Sequence, residues 1–276
     1  MPTRRPVRKI NDMSVIRVSA VEYLNARPLV HGLEAKPELF SLDFAVPAKC
    51  ATRLHDSAVD LALIPSIEYL QRSDYLVVPN IAVASDGPVA SVALFSQRPA
   101  TAIRSVAVDS SSRTAGALLR ILCAHWFEIE PTLVKMSPDL PTMLKRCDAA
   151  LLIGDKALFT EYENAGLEKI DLGEEWRAMT DTSFVWSFWA GREDAVKLEH
   201  LEALQKARDT GVSSLDEIAE KFAPTSEEDS VEVTQSYLRD NVFYSLGERE
   251  RAGLKKFFES AADIGVVPQA RTIRFF

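Results

Sequence analysis

The sequence predicts an α/β fold in which one αβ unit is inserted into another. Short apolar runs alternate with longer amphipathic stretches from residue 15 onward, the order that builds a mostly parallel sheet with helices on both faces. Two apolar runs, at 91–95 (SVALF) and 184–190 (FVWSFWA), bracket a segment with strand–turn–helix units of its own. The strands there are expected to cross between units, so that residues 15–95 and 188–276 form one lobe and 96–187 the inserted lobe.

Residues 1–14 are basic and lack the apolar core of a secretory signal, so they read as a flexible leader. Residues 15–20 read as a strand, 23–33 as a turn entering a helix, 42–46 as a second strand, 47–57 as a helix, and 61–64 as a third strand closed by Pro65. In the inserted segment, VAVD is a strand, SSSRT its turn and AGALLRILCAHWF a helix; AALLI, GD and KALFTEYENAG repeat the order. Beyond Arg192 the pattern is helical. Leu198, Leu201 and Leu204 form one apolar stripe, and Ser214 with Glu217 and Ser245 with Glu248 read as capping boxes ahead of two more. The acidic run Glu227, Glu228, Asp229 reads as a solvated helix start.

In 276 residues, 32 Lys and Arg stand against 40 Asp and Glu, a net charge of −8 with His neutral. Binding to nucleic acid or to an anionic membrane needs a basic face, so neither partner is expected, and any attraction for an anion must be local. No window approaches the ~20 apolar residues that span a bilayer. Cys50, Cys123 and Cys147 are odd in number and far apart, which fits reduced cysteines and a cytoplasmic location. The four histidines are scattered, and no metal-ligand spacing, nucleotide loop or serine elbow is present, so neither a metal nor a cofactor is expected.

Small polar residues at the carboxyl ends of strands are what remains, and that is where open α/β sheets bind ligands. Ser110, Ser111, Ser112 and Thr114 put hydroxyls and free N–H groups at a helix N-terminus, an arrangement that either caps the helix or holds a carboxylate or phosphate. Arg113 can add a forked donor or face water. Asn25 follows the first strand and can cap a helix or offer its amide to a ligand. Ser66 follows the third strand; Ser91 follows the turn signal Asp86, Gly87, Pro88; Gly154 permits close backbone approach, and Asp155 is either a site residue or an N-cap. All lie where two lobes would face each other.

YLNARPL (23–29), DLALIPSIEY (60–69), SDGPVASVALFS (85–96), DSSSRTAGALLRILC (109–123) and LGEEWRAMTDTSFVWSFWAGR (172–192) together resemble the chorismate dehydratases of the futalosine route to menaquinone. The resemblance spans residues 15–276. It implies a two-lobed periplasmic-binding-protein-like fold of the type II, flytrap kind, each lobe a mixed sheet flanked by helices. It implies elimination of water from chorismate to give 3-[(1-carboxyvinyl)oxy]benzoate, a lyase reaction on an anionic small molecule. Asn25 is then the catalytic candidate, with one carboxylate held at Ser111, Ser112, Arg113 and Thr114, the other near Ser66 and Ser91, and Gly154 and Asp155 bordering the site. The dihydroxynaphthoate synthase of the same route shares the fold, but its first turn is rich in Cys, Pro and Asn-Asp. A non-catalytic solute receptor is the other alternative. Where the family usually has a Gly-Leu-Pro-Phe run, this chain has Asp181, Thr182, Ser183 and Phe184.

Overall fold

A computed structural model describes residues 15–225 and 229–276; the expected leader and Glu227 and Glu228 of the acidic run lie outside the described residues. The first sheet has strand order β2-β1-β3-β11-β4, with β5 also paired to β11. Its strands are β1 (Ile16–Val21), β2 (Phe40–Ala45), β3 (Leu61–Pro65), β4 (Tyr75–Val77), β5 (Val83–Ser85) and β11 (Phe184–Arg192). The second has order β10-β6-β9-β7-β8, built from β6 (Val92–Ser96), β7 (Ser105–Asp109), β8 (Thr132–Met136), β9 (Ala149–Ile153) and β10 (Glu168–Asp171).

Both sheets are mixed. β1 runs parallel to β2 and β3, and β7 parallel to β8 and β9, while β11 and β6 are antiparallel to their neighbours. The central strands β3 and β6 are buried at every position, as strands covered on both faces must be. Neither expected crossing strand passes between units. All of β6 belongs to the second sheet and all of β11 to the first, so the changeovers fall at 86–91 and 172–183 rather than at 95/96 and 187/188.

The helices are α1 (Arg27–Val30), α2 (Pro47–His55), α3 (Arg113–His125), α4 (Leu140–Leu144), α5 (Asp155–Leu158), α6 (Leu172–Thr180), α7 (Leu198–Ser213), α8 (Leu215–Phe222), α9 (Ser230–Ser236) and α10 (Glu248–Asp263). Two expected helices are cut short. Residues 23–33 hold a 3₁₀ turn at Leu24–Ala26 and the single turn α1, while the helix expected at 156–166 is the single turn α5. The expected capping boxes do not form: Ser214 makes no side-chain cap, and α10 starts behind Gly247, whose N–H donates to Glu250 Oε2 at 2.8 Å.

One contiguous core joins both units, and its aromatic centre holds Trp176 edge-on to Phe184 at 5.3 Å between centroids and Phe184 against Phe257 at 4.8 Å. Asp181 closes α6 at φ 57°, a conformation that aspartate tolerates better than most residues. The carboxyl ends of β1, β3, β7 and β9 lead into 23–25, 66, 111–114 and 154, which is how six of the expected site residues come to border one space.

Candidate active site

A cavity of about 60 Å³ opens beyond those strand ends, lined by Asn25, Ser111, Ser112, Arg113, Thr114 and Gly154 among others. Tyr23, Trp186 and Ser187, which sequence reasoning did not single out, border it as well. The titratable side chains among its described lining are Tyr23 and Arg113; no carboxylate or imidazole faces it. Among the described residues, no cluster of three or more His, Cys, Asp or Glu side chains is placed to hold a metal ion.

The turn between β7 and α3 is organised by Asp109, whose Oδ1 accepts from the Ser111 N–H and from the Ser111 hydroxyl, both at 2.8 Å. This turns the chain so that Ser112, not Ser111, becomes the residue preceding the helix. Ser112 is 6% exposed and its hydroxyl has no partner in the protein, and it makes no side-chain cap. The N–H groups of 113–115 have no intrahelical acceptor, so the helix dipole and those donors leave an end that suits an anion, with the Ser112 hydroxyl beside it. Of the two readings open for this turn, a capped helix is thereby set aside at Ser112.

Gly154 sits at φ 66°, ψ −150°, a region that only glycine enters readily. A Cβ there would come within 2.7 Å of the Tyr23 ring, so glycine is what allows that ring to pack against the backbone. Burial pushes the Tyr23 phenol up to about 12, against the lowering effect of the neighbouring Ser111 hydroxyl, so the hydroxyl is neutral at physiological pH.

Three expected site residues lie beside the cavity with their polar groups committed to the protein. The Ser66 hydroxyl donates to Val185 O at 2.7 Å and lies 3.4 Å from Thr114 Oγ1. The Ser91 hydroxyl accepts from Tyr237 at 2.7 Å. Asp155 neither lines the cavity nor caps its own helix: its carboxylate accepts the Leu24 N–H at 3.0 Å, and burial raises its pKa against that bond and the charge of Arg27. A buried hydroxyl or carboxylate pairs with whatever hydrogen-bonding group lies in reach, and in these three cases that is a group of the protein itself.

The two units meet around this cavity, and side chains from each reach across to the other. The clasp between them centres on Glu68. Its Oε2 accepts from Arg113 Nη1 at 2.7 Å and lies 2.8 Å from His55 Nε2, while Arg113 Nη2 donates to Thr52 Oγ1 at 2.9 Å. Arg113 is therefore a fork spent on the facing unit. Thr114 adds to the clasp by accepting the Ile67 N–H at 3.3 Å. Burial alone would raise the Glu68 pKa, but the bonds from His55 and Arg113 and the Arg113 charge outweigh it and hold the carboxyl below its ordinary value.

A carboxylate lowered in the folded state stabilises above its unfolded pKa, about 4.3, and that contribution is lost as pH falls through the folded value. Glu68→Gln is thus expected to cost about 1–2 kcal/mol near pH 7, discounted for the partial exposure of Arg113. Melting temperatures of both proteins from pH 7 to pH 3 check this: the gap between them should narrow on the acid side, and a gap that widens there would contradict the assignment.

The comparisons with known proteins follow the same lines. A chain named chorismate dehydratase from Thermus thermophilus is 33% identical over 255 residues, covering 86% of this chain and 92% of that one. In three dimensions, the alkanesulfonate-binding protein of Xanthomonas axonopodis pv. citri, bound to MOPS, superposes with a TM-score of 0.67 at 14% identity over 94% of this chain and 96% of its own. A Candida albicans protein described as having the generic periplasmic binding protein structural fold gives 0.62 at 15% identity, covering 94% and 92%. The likeness to these structures establishes the fold: two mixed sheets flanked by helices in the periplasmic-binding-protein arrangement. The family model described as menaquinone biosynthesis matches residues 16–263, and with a third of the sequence shared with the Thermus protein, the chain belongs to that menaquinone-biosynthesis family.

Proposed function

We propose that the protein eliminates water from chorismate to give 3-[(1-carboxyvinyl)oxy]benzoate, acting as a hydro-lyase in menaquinone biosynthesis. The observation that carries the reading is the buried, unpartnered Ser112 hydroxyl at the N-terminus of α3, in a cavity that also holds Asn25. That end is suited to one carboxylate of a dianion. The relationship to the Thermus chorismate dehydratase and to the menaquinone-biosynthesis family supports the substrate.

In the reaction a ring C–H bond breaks and its electron pair becomes a ring π bond as the neighbouring C–O bond breaks. The hydroxide leaves with the abstracted proton as water, and the ring becomes aromatic. Aromatisation supplies the driving force, so the protein's part is to hold one geometry and keep bulk water out. Ser112 and the first N–H groups of α3 grip one carboxylate, and the Asn25 amide hydrogen-bonds the departing hydroxyl. With Tyr23 neutral and Arg113 tied to Glu68, the base is the substrate's second carboxylate, which faces the ring instead of being held by Ser66 and Ser91. Three buried free cysteines accord with the cytoplasmic location that belongs to this reading.

The test is incubation with chorismate while the ultraviolet spectrum is followed. Growth of an aromatic product supports the reading, and a flat trace from folded protein overturns it in favour of a binder or of the related synthase. Ser112→Ala is expected to raise the KM for chorismate about tenfold, as for loss of one hydrogen bond to a charged group, with kcat little changed. Steady-state kinetics read this directly, and an unchanged KM would place the carboxylate elsewhere.

A further inference from the structure

Trp186 and Ser187 are consecutive in β11, yet both line the cavity. In a regular strand neighbouring side chains point to opposite faces, so one of the two should be turned away. The register of the sheet explains why neither is. Against β5, Phe184 pairs with Ser85 and Val185 with Ala84, and then Ser187, not Trp186, pairs with Val83. Trp186 is therefore the extra residue of a β-bulge, a device that re-aims a side chain and is over-represented beside active sites.

The re-aimed indole is buried and fixed from two sides. Its N–H donates to Ser85 Oγ at 3.1 Å, and its ring lies 4.3 Å between centroids from Phe184, which in turn packs on Trp176 and Phe257. The strand is held at the bulge as well, where the Val185 carbonyl accepts the Ser66 hydroxyl at 2.7 Å. Indole has one polar hydrogen and no acceptor. Because Ser85 takes that hydrogen, what Trp186 presents to the cavity is hydrocarbon and π surface.

The N-terminus of α3 reads charge, so it would hold an open-chain dicarboxylate as readily as a ring acid. A flat, rigid apolar wall separates the two. We infer that Trp186 is the specificity-determining residue for the ring: its indole is the surface on which the six-membered ring of the substrate lies, so that ring acids are selected over acyclic dianions. This rests on the chorismate reading above and adds the residue that recognises the ring. A flat aromatic ring stacks better than the puckered diene of chorismate, so the contact is read most sensitively with the product.

The test is the affinity for 3-[(1-carboxyvinyl)oxy]benzoate, measured by calorimetry. Its Kd is expected to rise about three- to tenfold in Trp186→Leu, the range for loss of one aromatic contact, and to stay within about twofold in Trp186→Phe, which keeps a ring at the wall. Succinate, an acyclic dianion competed against product, is the control. A merely structural tryptophan would lower thermal stability and weaken both ligands alike. An unchanged product Kd in Trp186→Leu, or a loss shared equally by succinate, overturns the inference. If that variant does not fold, tryptophan emission decides: of the four tryptophans, Trp186 is the one among the described cavity-lining residues. Bound product should change the emission of the unmodified protein but not that of Trp186→Phe; no response in the first, or an equal response in both, overturns the inference. Each of these failures leaves the proposed reaction standing. Absence of turnover by the unmodified protein overturns the reaction itself, and the inference with it.

Discussion

Replacing Asn25 by alanine is expected to lower kcat for loss of water from chorismate by about a hundredfold or more, with KM moved by less than about threefold. The size follows from the effect of removing one preorganised hydrogen-bonding group aimed at charge that develops in a transition state, ~10²–10³ in rate. The hydroxyl of chorismate leaves with negative charge building on oxygen, and of the described cavity-lining groups Asn25 is the neutral side-chain amide able to meet it. The split between kcat and KM follows from the division of labour. In the proposed reaction the ground-state carboxylate is gripped at α3, far along the chain from the first turn, so that grip should be unaffected by the change. Progress curves over a range of chorismate concentrations check the prediction; a fall in kcat of less than about threefold would remove Asn25 from the chemistry.

Gly154→Ala should be the most damaging single methyl group in the site. The residue is held at φ 66° and ψ −150°, where a side chain costs about 1–3 kcal/mol of backbone strain. The added Cβ would also meet the Tyr23 ring at 2.7 Å, which overpacks the contact at a further cost of about 1–3 kcal/mol. A loss of roughly 2–5 kcal/mol is expected, or about 5–15 °C in melting temperature for a protein near this size. The ring also lines the cavity, so a shift of Tyr23 would change its shape. Activity of the folded fraction should therefore fall too, through displacement of the turn that carries Asn25. Thermal unfolding together with kcat/KM tests both halves, and an unshifted midpoint would show that the Tyr23–Gly154 packing has been misjudged.

The parts of the site legible in the sequence were those written in local chemistry. Asn25, the Ser-rich turn and Gly154 follow apolar runs with no other residues of their kind nearby, and strand ends in parallel sheets are where ligands collect. β8 and β10 escaped because TLVKM and EKID lie at the edges of their sheet with exposed positions and few apolar residues to mark them. α5 stopped after one turn where helical pattern continued, as tertiary packing overrides propensity. The orientation of the Ser66 and Ser91 hydroxyls was illegible in principle, because their partners are Val185 and Tyr237, more than a hundred residues away. Tyr237 gave no signal at all beyond that of an aromatic residue in a helical stretch. Arg113 was readable as a forked donor, but what the fork would grip, Glu68 and Thr52, depended on how the two units face each other.

The central claim is that the cleft between the sheets holds a doubly charged ring acid with one carboxylate on α3 and the reacting face toward Asn25. A crystal structure with 3-[(1-carboxyvinyl)oxy]benzoate bound tests it most directly. The account predicts one carboxylate within hydrogen-bonding distance of Ser112 Oγ and the first N–H groups of α3, with the ring between Tyr23 and Asn25. Product seated outside that cleft, or in it with Ser112 and Asn25 untouched, would contradict the account.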